Sequence, residues 1–232
     1  MNEKIVLITG ARKGIGRYLA EKYCSRDCRV IGCSRSKSDF THANYKHYEL
    51  DVTDEVAIKA MFRELRKIYG KVDILINNAG VASMNHTAVT PWSTYRNLLD
   101  TNLGGTFLLC REVARVMRKS GGSIVNFTSV AVPLNLEGEA LYASSKAAIE
   151  QFTKILAKEY SHMGIRVNAI GPNPIETDLI RVLPKEKVND LIQKQSIKRL
   201  GDFGDVWNVI DFFTRDQSSA VTGQTIYLGG IF

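Results

Sequence analysis

The sequence predicts an α/β protein built on one doubly wound parallel sheet of about seven strands, with helices on both faces. Short apolar runs alternate with longer helical patterns along the whole chain of 232 residues. A glycine-rich turn follows the first apolar run and opens a helix, and no repeat, linker or low-complexity stretch divides the chain. This alternation is typical of a parallel sheet with crossover helices, so we expect one domain over residues 1–232.

The individual elements follow from the spacing of the apolar residues. Strands are predicted where short apolar runs end at turn residues, at 4–9, 29–34, 45–49, 74–77, 123–127, 166–170 and 225–228. Helices are predicted where apolar residues recur every three or four positions, at 14–24, 55–69, 92–119, 141–162, 185–194 and 205–213. The helix 92–119 should have Thr90 as its N-cap and Pro91 at its first position, where a missing N–H costs nothing.

The helix predicted over 92–119 has more apolar residues than one core-facing stripe needs. One stripe consists of Leu103, Phe107, Cys110, Ala114 and Met117. Three further apolar residues, Leu109, Val113 and Val116, widen it. We expect the additional face to pack against another subunit, and a lid or loop that covers it is the alternative.

Composition favours a globular protein with a sizeable core, because 44% of the residues are apolar and 24% are charged. The apolar runs are far shorter than the roughly 18 residues of a membrane-spanning helix. The run at residues 5–8 is also too short for a signal peptide. We therefore expect a cytoplasmic protein that does not enter a membrane.

The net charge of +7, from 31 basic and 24 acidic residues, raises the hypothesis of nucleic-acid binding. The basic residues are scattered, and their densest excess, at residues 111–119, follows one amphipathic helix, which favours a solvated surface and no nucleic-acid partner. No pair of cysteines has the spacing of metal ligands, so we predict no metal site. The four cysteines are interpreted as reduced, mostly buried thiols: Cys24, Cys28, Cys33 and Cys110.

The turn after the first predicted strand has the spacing G-x-x-x-G-x-G. Glycines there permit positive φ, close approach of the backbone to a pyrophosphate and tight packing of helix on strand, while the helix N-terminus supplies N–H donors. We interpret the turn as a dinucleotide-phosphate site, with a plain turn as the alternative. The residues assigned to this site are Gly10, Arg12, Lys13, Gly14, Ile15 and Gly16.

The end of the second predicted strand indicates which dinucleotide binds. Folds that bind NAD place an acidic residue about 20 positions after the glycine turn, whereas a basic residue there accommodates a 2′-phosphate. Here the strand ends in Ser34 and Arg35, and the next carboxylate is Asp39. Arg35 with Arg12 and Lys13 would place three cations at one spot, so we predict NADP(H). A solvated Arg35 is the alternative.

A tyrosine and a lysine four positions apart, Tyr142 and Lys146, share one face of a predicted helix. A nearby ammonium favours the phenolate and would tune a tyrosine, with its ordinary pKa near 10, for acid–base chemistry. The pair alone is weak evidence. Ser129 follows the strand predicted over 123–127, at the carboxyl edge where doubly wound sheets bind ligands, and this context strengthens the interpretation.

Together these residues make the chain resemble the short-chain dehydrogenases/reductases, a family with a Rossmann-type sheet, along almost its entire length. The matching motifs are T-G-x-x-x-G-x-G at 9–16, Leu-Asp-Val at 50–52, Asn-Asn-Ala-Gly at 77–80, Asn102, Ser129 and the pair of Tyr142 and Lys146. The resemblance implies a homotetramer in which the long helix and the next one form the interface.

The resemblance also implies roles for single residues. Tyr142 would give a proton to a substrate carbonyl as hydride arrives from the nicotinamide, and Ser129 would hydrogen-bond the same oxygen. Lys146 would lower the pKa of Tyr142 and hold the nicotinamide ribose, and Asn102 would anchor a water that links Lys146 to solvent. The implied cofactor contacts are Asp51 and Val52 at the adenine, Asn78, Ala79 and Gly80 at the adjacent ribose, and Pro172, Ile175 and Thr177 at the nicotinamide.

Two departures from the family pattern concern the cofactor and the substrate. Asn173 stands where the family usually has the glycine of a Pro-Gly pair, and asparagine tolerates positive φ better than most residues. Within the family the chain is most similar to 3-oxoacyl-acyl-carrier-protein reductases. However, Ser120 and Met163 stand where those enzymes carry the arginines that meet the carrier protein.

We therefore expect an NADPH-dependent carbonyl reductase, reversible as an alcohol dehydrogenase. A 3-oxoacyl thioester is the first substrate hypothesis, and a sugar or other polar metabolite is the second. The predicted substrate lid, at about residues 178–199, is net basic and suits an anionic substrate. A regulator that senses NADP(H) without turnover is the alternative from another class, and the joint presence of the four catalytic-type residues disfavours it.

Overall fold

The chain folds around a parallel sheet with the strand order β3-β2-β1-β4-β5-β6-β7, seen in a computed structural model that describes residues 3–176 and 185–232. The strands are β1 Ile5–Thr9, β2 Arg29–Ser34, β3 Tyr45–Glu49, β4 Ile74–Asn77, β5 Gly122–Phe127, β6 Ile165–Gly171 and β7 Thr225–Tyr227. The order changes direction between β1 and β4, which opens a crevice at their carboxyl ends. The predicted doubly wound parallel sheet is confirmed.

Helices cover both faces of the sheet, as predicted. They are α1 Gly14–Cys24, α2 Glu55–Tyr69, α3 Trp92–Leu99, α4 Gly105–Met117, α5 Ala131–Leu134, α6 Ala140–Glu159, α7 Lys185–Gln193 and α8 Phe203–Thr214. Residues of α2, α4 and α6 form one core with the sheet, and residues of α1 and α8 form the other. Thr177 and the first part of the predicted lid, up to residue 184, lie outside the described residues.

The helix predicted over 92–119 is interrupted, which corrects that prediction. A π-helical turn, Asp100–Gly104, separates α3 from α4, and it turns Asn102 inward so that its side chain is fully buried. The predicted cap is also wrong by one position. Pro91 is the N-cap, with φ −64° and ψ 146°, and Thr90 instead donates its hydroxyl to the backbone oxygen of His86. A π turn adds one residue to the helical register, which apolar spacing does not reveal.

The additional apolar face of α4 is covered within the chain, not by a lid and not by a second subunit. Leu109, Val113 and Val116 are buried in the core that also contains Ile58, Phe62 and Leu65 of α2. The apolar surface that remains exposed on this side of α4 is smaller than the predicted face. Phe107 of α4 is 44% exposed and Ile155 of α6 is 45% exposed, with the half-buried Phe152 between them. We call these three residues the Phe107 patch.

Other boundaries move by one to three residues. The helix predicted over 205–213 begins earlier because Asp202 caps it, accepting a hydrogen bond from the Asp205 N–H at 2.9 Å. The helix predicted over 141–162 ends at Glu159 and continues as a 3₁₀ turn, Ser161–Met163. The short helix α5 was not predicted. Across residues 3–176 and 185–232, no helix combines the length and the apolar character needed to cross a membrane.

Candidate active site

The glycine turn between β1 and α1 has the conformation that a phosphate site requires. Gly10 and Gly14 have φ values of +66° and +58°, which disfavour any side chain. A Cβ at Gly16 would lie 2.4 Å from the Gly10 carbonyl oxygen, so turn and helix pack too closely for any residue larger than glycine. The turn thus leaves the N-terminus of α1 open for a pyrophosphate. Arg12 and Lys13 are exposed beside it, and Ile15 is half-buried in the helix.

The loop after β4 is tied to this turn. The Asn78 side-chain amide donates to the backbone oxygens of Thr9, at 2.9 Å, and Gly10, at 3.3 Å. The Ala79 N–H donates to the Thr9 hydroxyl at 2.9 Å. A Cβ at Gly80 would lie 3.4 Å from Lys146 Nζ, so the backbone of this loop also approaches the predicted catalytic lysine. The loop after β4 thus contacts two predicted sites, the glycine turn at one end and Lys146 at the other.

The end of β2 presents the predicted 2′-phosphate residues. Arg35 is exposed, and Ser34 is half-buried. The nearest downstream carboxylate, Asp39, forms an ion pair with Arg17 at 2.6 Å, which holds the pKa of Asp39 below its ordinary value. The Arg17 guanidinium also lies over the Phe40 ring, 4.5 Å from its centroid. Asp39 is therefore engaged with α1 and does not occupy the place of a ribose-binding acid at the end of β2.

The residues predicted beside the adenine form a stable turn after β3. Asp51 Oδ1 accepts hydrogen bonds from the Thr53 N–H, at 2.9 Å, and the Thr53 hydroxyl, at 2.8 Å. Val52 is buried against α4, where a Cβ at Gly105 would come within 2.7 Å of its side chain. The glycine at the start of α4 therefore sets how closely Val52 can approach the helix.

The predicted catalytic residues meet at the carboxyl edge of β5. The Ser129 side chain lies close enough to the Tyr142 hydroxyl to oppose the rise of its pKa. Lys146 Nζ donates to the Phe127 backbone oxygen at 2.8 Å and lies 5.9 Å from the centre of the Tyr142 ring. The spacing of four positions on α6 and the short step from β5 to Ser129 produce this grouping.

Burial governs the electrostatics of this group. It raises the pKa of Tyr142 above 10, although the Ser129 side chain acts in the opposite direction. It also lowers the pKa of Lys146 from 10.5 to about 8, because the side chain is only 5% exposed. That Lys146 lowers the pKa of Tyr142 stays a prediction, because the net upward shift has burial as its largest cause.

Asn102 fixes the position of the loop after β4. Its side-chain amide donates to the Val81 backbone oxygen and to the Ser145 hydroxyl, both at 3.0 Å, and its Oδ1 accepts from the Val81 N–H at 2.9 Å. Its backbone oxygen accepts from the Thr106 hydroxyl at 2.7 Å. Asn102 thus joins the loop after β4 to Ser145 of α6, the residue directly before Lys146. Its predicted role as a water anchor stays a prediction.

The backbone predicted beside the nicotinamide differs from the expectation for Asn173. Its φ is not positive, and its side chain is 6% exposed. Its Nδ2 donates to Oε1 of the buried Gln195 at 2.6 Å, while its Oδ1 has no hydrogen-bond partner among the described residues. A Cβ at Gly201 would come within 2.2 Å of that oxygen. Asparagine is thus accommodated by an amide pair, and Pro172 and the buried Ile175 flank it.

Most polar loop residues near Tyr142 are exposed to solvent. They include Asn135 and Glu137, which lie between Ser129 and Tyr142, and His86, which follows the loop after β4. Glu139 is half-buried, and burial raises its pKa, with Lys187 opposing that shift. Gln195 could not be identified from the sequence, because a single glutamine outside any motif carries no signal.

The comparisons with known proteins agree with this geometry. A family model described as Enoyl-(Acyl carrier protein) reductase matches residues 10–230. The chain is 36% identical over 234 aligned positions to the 3-oxoacyl-[acyl-carrier-protein] reductase FabG of Escherichia coli (strain K12), covering 98% of this chain and 96% of that protein. It is 33% identical to the FabG of Vibrio cholerae with the same coverage.

Solved structures match equally well along the chain. Aldohexose dehydrogenase of Thermoplasma acidophilum superposes with a TM-score of 0.90 at 30% identity, covering 98% of this chain and 93% of that one. ElxO with NADP bound gives 0.90 at 29% identity, with 98% of each chain covered. A short chain dehydrogenase of Leptospira borgpetersenii with bound NAD+ gives 0.90 at 31% identity, covering 99% of this chain and 92% of that one. Since both sequence and fold agree over nearly the full length of these proteins, the chain belongs to the short-chain dehydrogenase/reductase family of oxidoreductases.

Proposed function

We propose that the chain is an NADPH-dependent carbonyl reductase whose first substrate class is a 3-oxoacyl thioester. The observation that carries the proposal is the grouping of Tyr142, Ser129 and Lys146 at one end of a crevice whose other end is the glycine turn. An acid–base group and a dinucleotide site on one edge of a sheet are what hydride transfer to a carbonyl needs.

The residues divide the work as follows. When bound, the nicotinamide supplies the hydride. Tyr142 gives its hydroxyl proton to the substrate oxygen, and its raised pKa keeps it protonated at neutral pH. Ser129, which lies beside Tyr142, donates to the same oxygen. Lys146 holds a positive charge beside the phenol through most of the neutral range, which stabilises the phenolate left after proton transfer.

The substitution Tyr142→Phe tests this role. It keeps the ring and removes the proton donor, so turnover should fall by roughly 10² to 10⁴ while NADPH affinity stays within about twofold. Tyr160→Phe, at a half-buried tyrosine directly after the same helix, is the matched control and should retain wild-type turnover. A Tyr142→Phe enzyme with most of its activity would overturn the assignment.

The preference for NADPH rests on the cations around the end of β2. Arg35 is exposed there, and the glycine turn adds Arg12 and Lys13. Asp39, the carboxylate that could otherwise act as a ribose-binding acid, is paired with Arg17. ElxO, at 29% identity, is described with NADP bound, which supports the same choice. The Leptospira borgpetersenii structure is described with bound NAD+, so the preference of this chain needs a direct test.

Arg35→Ala provides that test. A forked arginine contact to a 2′-phosphate contributes about 1.5 to 3 kcal/mol, so NADPH affinity should fall by about ten- to a hundredfold and NADH affinity should not change. Lys37→Ala, an exposed neighbour in the same loop, is the control. Titration by intrinsic fluorescence measures both cofactors. Equal losses for NADPH and NADH would show that Arg35 supports the loop and not the phosphate.

The thioester comes first among substrates because the FabG relatives are named as reductases of 3-oxoacyl groups on a carrier protein. A sugar comes second, since aldohexose dehydrogenase is among the matching structures. The net basic composition of residues 178–199 suits an anionic substrate. A panel of 3-oxoacyl-CoA esters, small ketones and aldohexoses, followed by NADPH absorbance, discriminates the two classes.

Assembly and cellular context are further proposals. We propose that residues 1–232 act as one catalytic domain and that copies associate into a homotetramer through the Phe107 patch, whose two exposed side chains lie on α4 and α6. The cytoplasmic location expected from the sequence stays a prediction.

A further inference from the structure

A histidine on β3 lies beneath the loop that carries the predicted 2′-phosphate residues. His47 pairs with Gly32 across the β2–β3 ladder, and Ser34 lies two positions further along β2 on the same face. His47 Nε2 is 2.9 Å from the Ser34 hydroxyl and 3.1 Å from the Ser36 backbone oxygen. The Ser34 hydroxyl itself donates to the Ser36 oxygen at 2.8 Å. The ring therefore touches the loop at two polar atoms.

The other ring nitrogen is occupied by a tyrosine from the same strand. His47 Nδ1 is 2.7 Å from the Tyr45 hydroxyl. Tyr45 reaches this position because Gly32 has no side chain, since a Cβ there would lie 2.1 Å from the hydroxyl oxygen. The Tyr45 ring is further held by Phe40, with ring centres 4.8 Å apart. The sequence thus places a glycine on β2 where a tyrosine on β3 must reach the histidine.

Counting donors and acceptors fixes the tautomer of His47. A backbone oxygen can only accept, so the Ser36 oxygen 3.1 Å away requires a proton on Nε2. In the neutral ring Nδ1 is then an acceptor, and the Tyr45 hydroxyl donates to it. Burial lowers the pKa of His47, which favours this neutral form. The Nε2–H is shared between the Ser36 oxygen and the lone pairs of the Ser34 hydroxyl.

This arrangement lets the Ser34 hydroxyl donate to an acceptor other than the Ser36 oxygen. Without His47, turning the Ser34 proton toward a ligand would leave the oxygen of the exposed Ser36 with no donor except water. With His47, the Nε2–H remains on that oxygen when the Ser34 hydroxyl donates elsewhere. A doubly charged phosphate ester is the acceptor that benefits most, because hydrogen bonds to charged groups are the stronger ones.

We propose that His47 is a positioning residue for cofactor specificity: its Nε2–H, fixed by Tyr45, directs the Ser34 hydroxyl toward the 2′-phosphate of an adenosine ribose. The inference rests on the proposed NADPH preference and adds to it a residue on β3, outside the glycine turn and the Ser34–Arg35 pair. His47 acts through Ser34, so its contribution should appear only with ligands that carry the 2′-phosphate.

The test is a double-mutant cycle between His47 and Ser34. Affinities of NADPH and NADH, and of the fragments 2′,5′-ADP and 5′-AMP, are measured by intrinsic fluorescence for His47→Leu, Ser34→Ala and the double variant. Each single substitution should weaken NADPH and 2′,5′-ADP by about five- to twentyfold and leave NADH and 5′-AMP within about twofold. The double variant should lose no more than either single one, because both remove the same hydrogen bond.

Two further variants separate positioning from loop support. His47→Gln keeps an N–H donor on a side chain of similar reach and should recover most of the NADPH affinity lost in His47→Leu. His42→Leu is the control, at an exposed histidine in the connection between β2 and β3. It should change neither the NADPH affinity nor the NADH affinity.

Any of four results would overturn the inference. Equal losses for NADPH and NADH would mean that His47 only supports the loop, and additive losses in the double variant would mean that it does not act through Ser34. A wild-type protein that binds NADH as tightly as NADPH would overturn both this inference and the proposed cofactor. Preserved NADPH preference in His47→Leu would overturn this inference alone.

Discussion

Burying the Lys146 ammonium should cost the protein stability, and that cost can be measured. The side chain is 5% exposed, and burial lowers its pKa from 10.5 to about 8. In an unfolded chain the lysine keeps the higher value, so between these two pH values the unfolded state binds more protons than the folded state. The free energy of unfolding should therefore rise as the pH increases from 8 to 10.5, and the full penalty is present below pH 8.

The size of the effect follows from the shift. One pKa unit corresponds to about 1.4 kcal/mol, so the move from 10.5 to about 8 amounts to about 3 kcal/mol. Lys146→Met removes the charge and keeps an unbranched side chain of similar length and helix propensity. The difference in unfolding free energy between variant and wild type should then shrink by about 2 to 3 kcal/mol between pH 7 and pH 10.

The assay is urea unfolding followed by circular dichroism at several pH values, with both proteins at one concentration because association shifts apparent stability. Contributions that do not depend on pH, such as loss of the hydrogen bond to the Phe127 oxygen, cancel in the slope. Lys154→Met removes an exposed lysine of the same helix and should give a difference that is constant with pH. Parallel curves for wild type and Lys146→Met would refute the reasoning, because they would show that burial does not disfavour the ammonium.

Two further predictions concern assembly and the amide pair. The double variant Phe107→Glu with Ile155→Glu should convert the oligomer to smaller species in size-exclusion chromatography with light scattering. Val56→Glu, at an exposed apolar residue on α2, is the control and should not. A monomeric wild type would contradict the proposal. Asn173→Ala leaves Oε1 of the buried Gln195 without its donor and should cost about 1 to 3 kcal/mol in chemical unfolding. Adding Gln195→Leu should restore part of this loss, and additive costs would show that the pair is not coupled.

Much of the fold could be predicted because its signals are local. Most strands of the sheet are short apolar runs, and β1, β2 and β4 are largely or fully buried; the exception is β3, which contains Lys46, His47 and Glu49. Glycines at the first turn mark the start of α1 within one residue. What periodicity could not predict is the π turn within 92–119, because one inserted residue preserves the apolar character on either side. The cover over Val113 and Val116 also escaped prediction, because it comes from α2, about fifty positions earlier in the chain.

The residues of the candidate site also differ in whether a local signal predicts them. Tyr142, Lys146 and Ser129 could be identified because they belong to motifs with fixed spacing, and the structure brings them together. Gln195 and His47 could not, since they belong to no motif and their contacts with Asn173 and Ser34 join residues that are distant in sequence or lie on the adjacent strand. The upward shift of the Tyr142 pKa was not foreseen for a related reason. A lysine four positions away is visible in the sequence, but the depth of burial is not.

The carboxyl edge of the sheet holds a buried charge. Lys146 is 5% exposed, and burial lowers its pKa from 10.5 to about 8, so keeping an ammonium there costs stability. At the amino edge, by contrast, the buried Ser123 hydroxyl is neutral and donates to the Phe213 backbone oxygen at 3.0 Å. A buried cation beside Tyr142 and Ser129 is expected where a crevice performs chemistry. It argues for an active enzyme over a cofactor-sensing regulator, because a regulator would need the glycine turn but not the buried lysine.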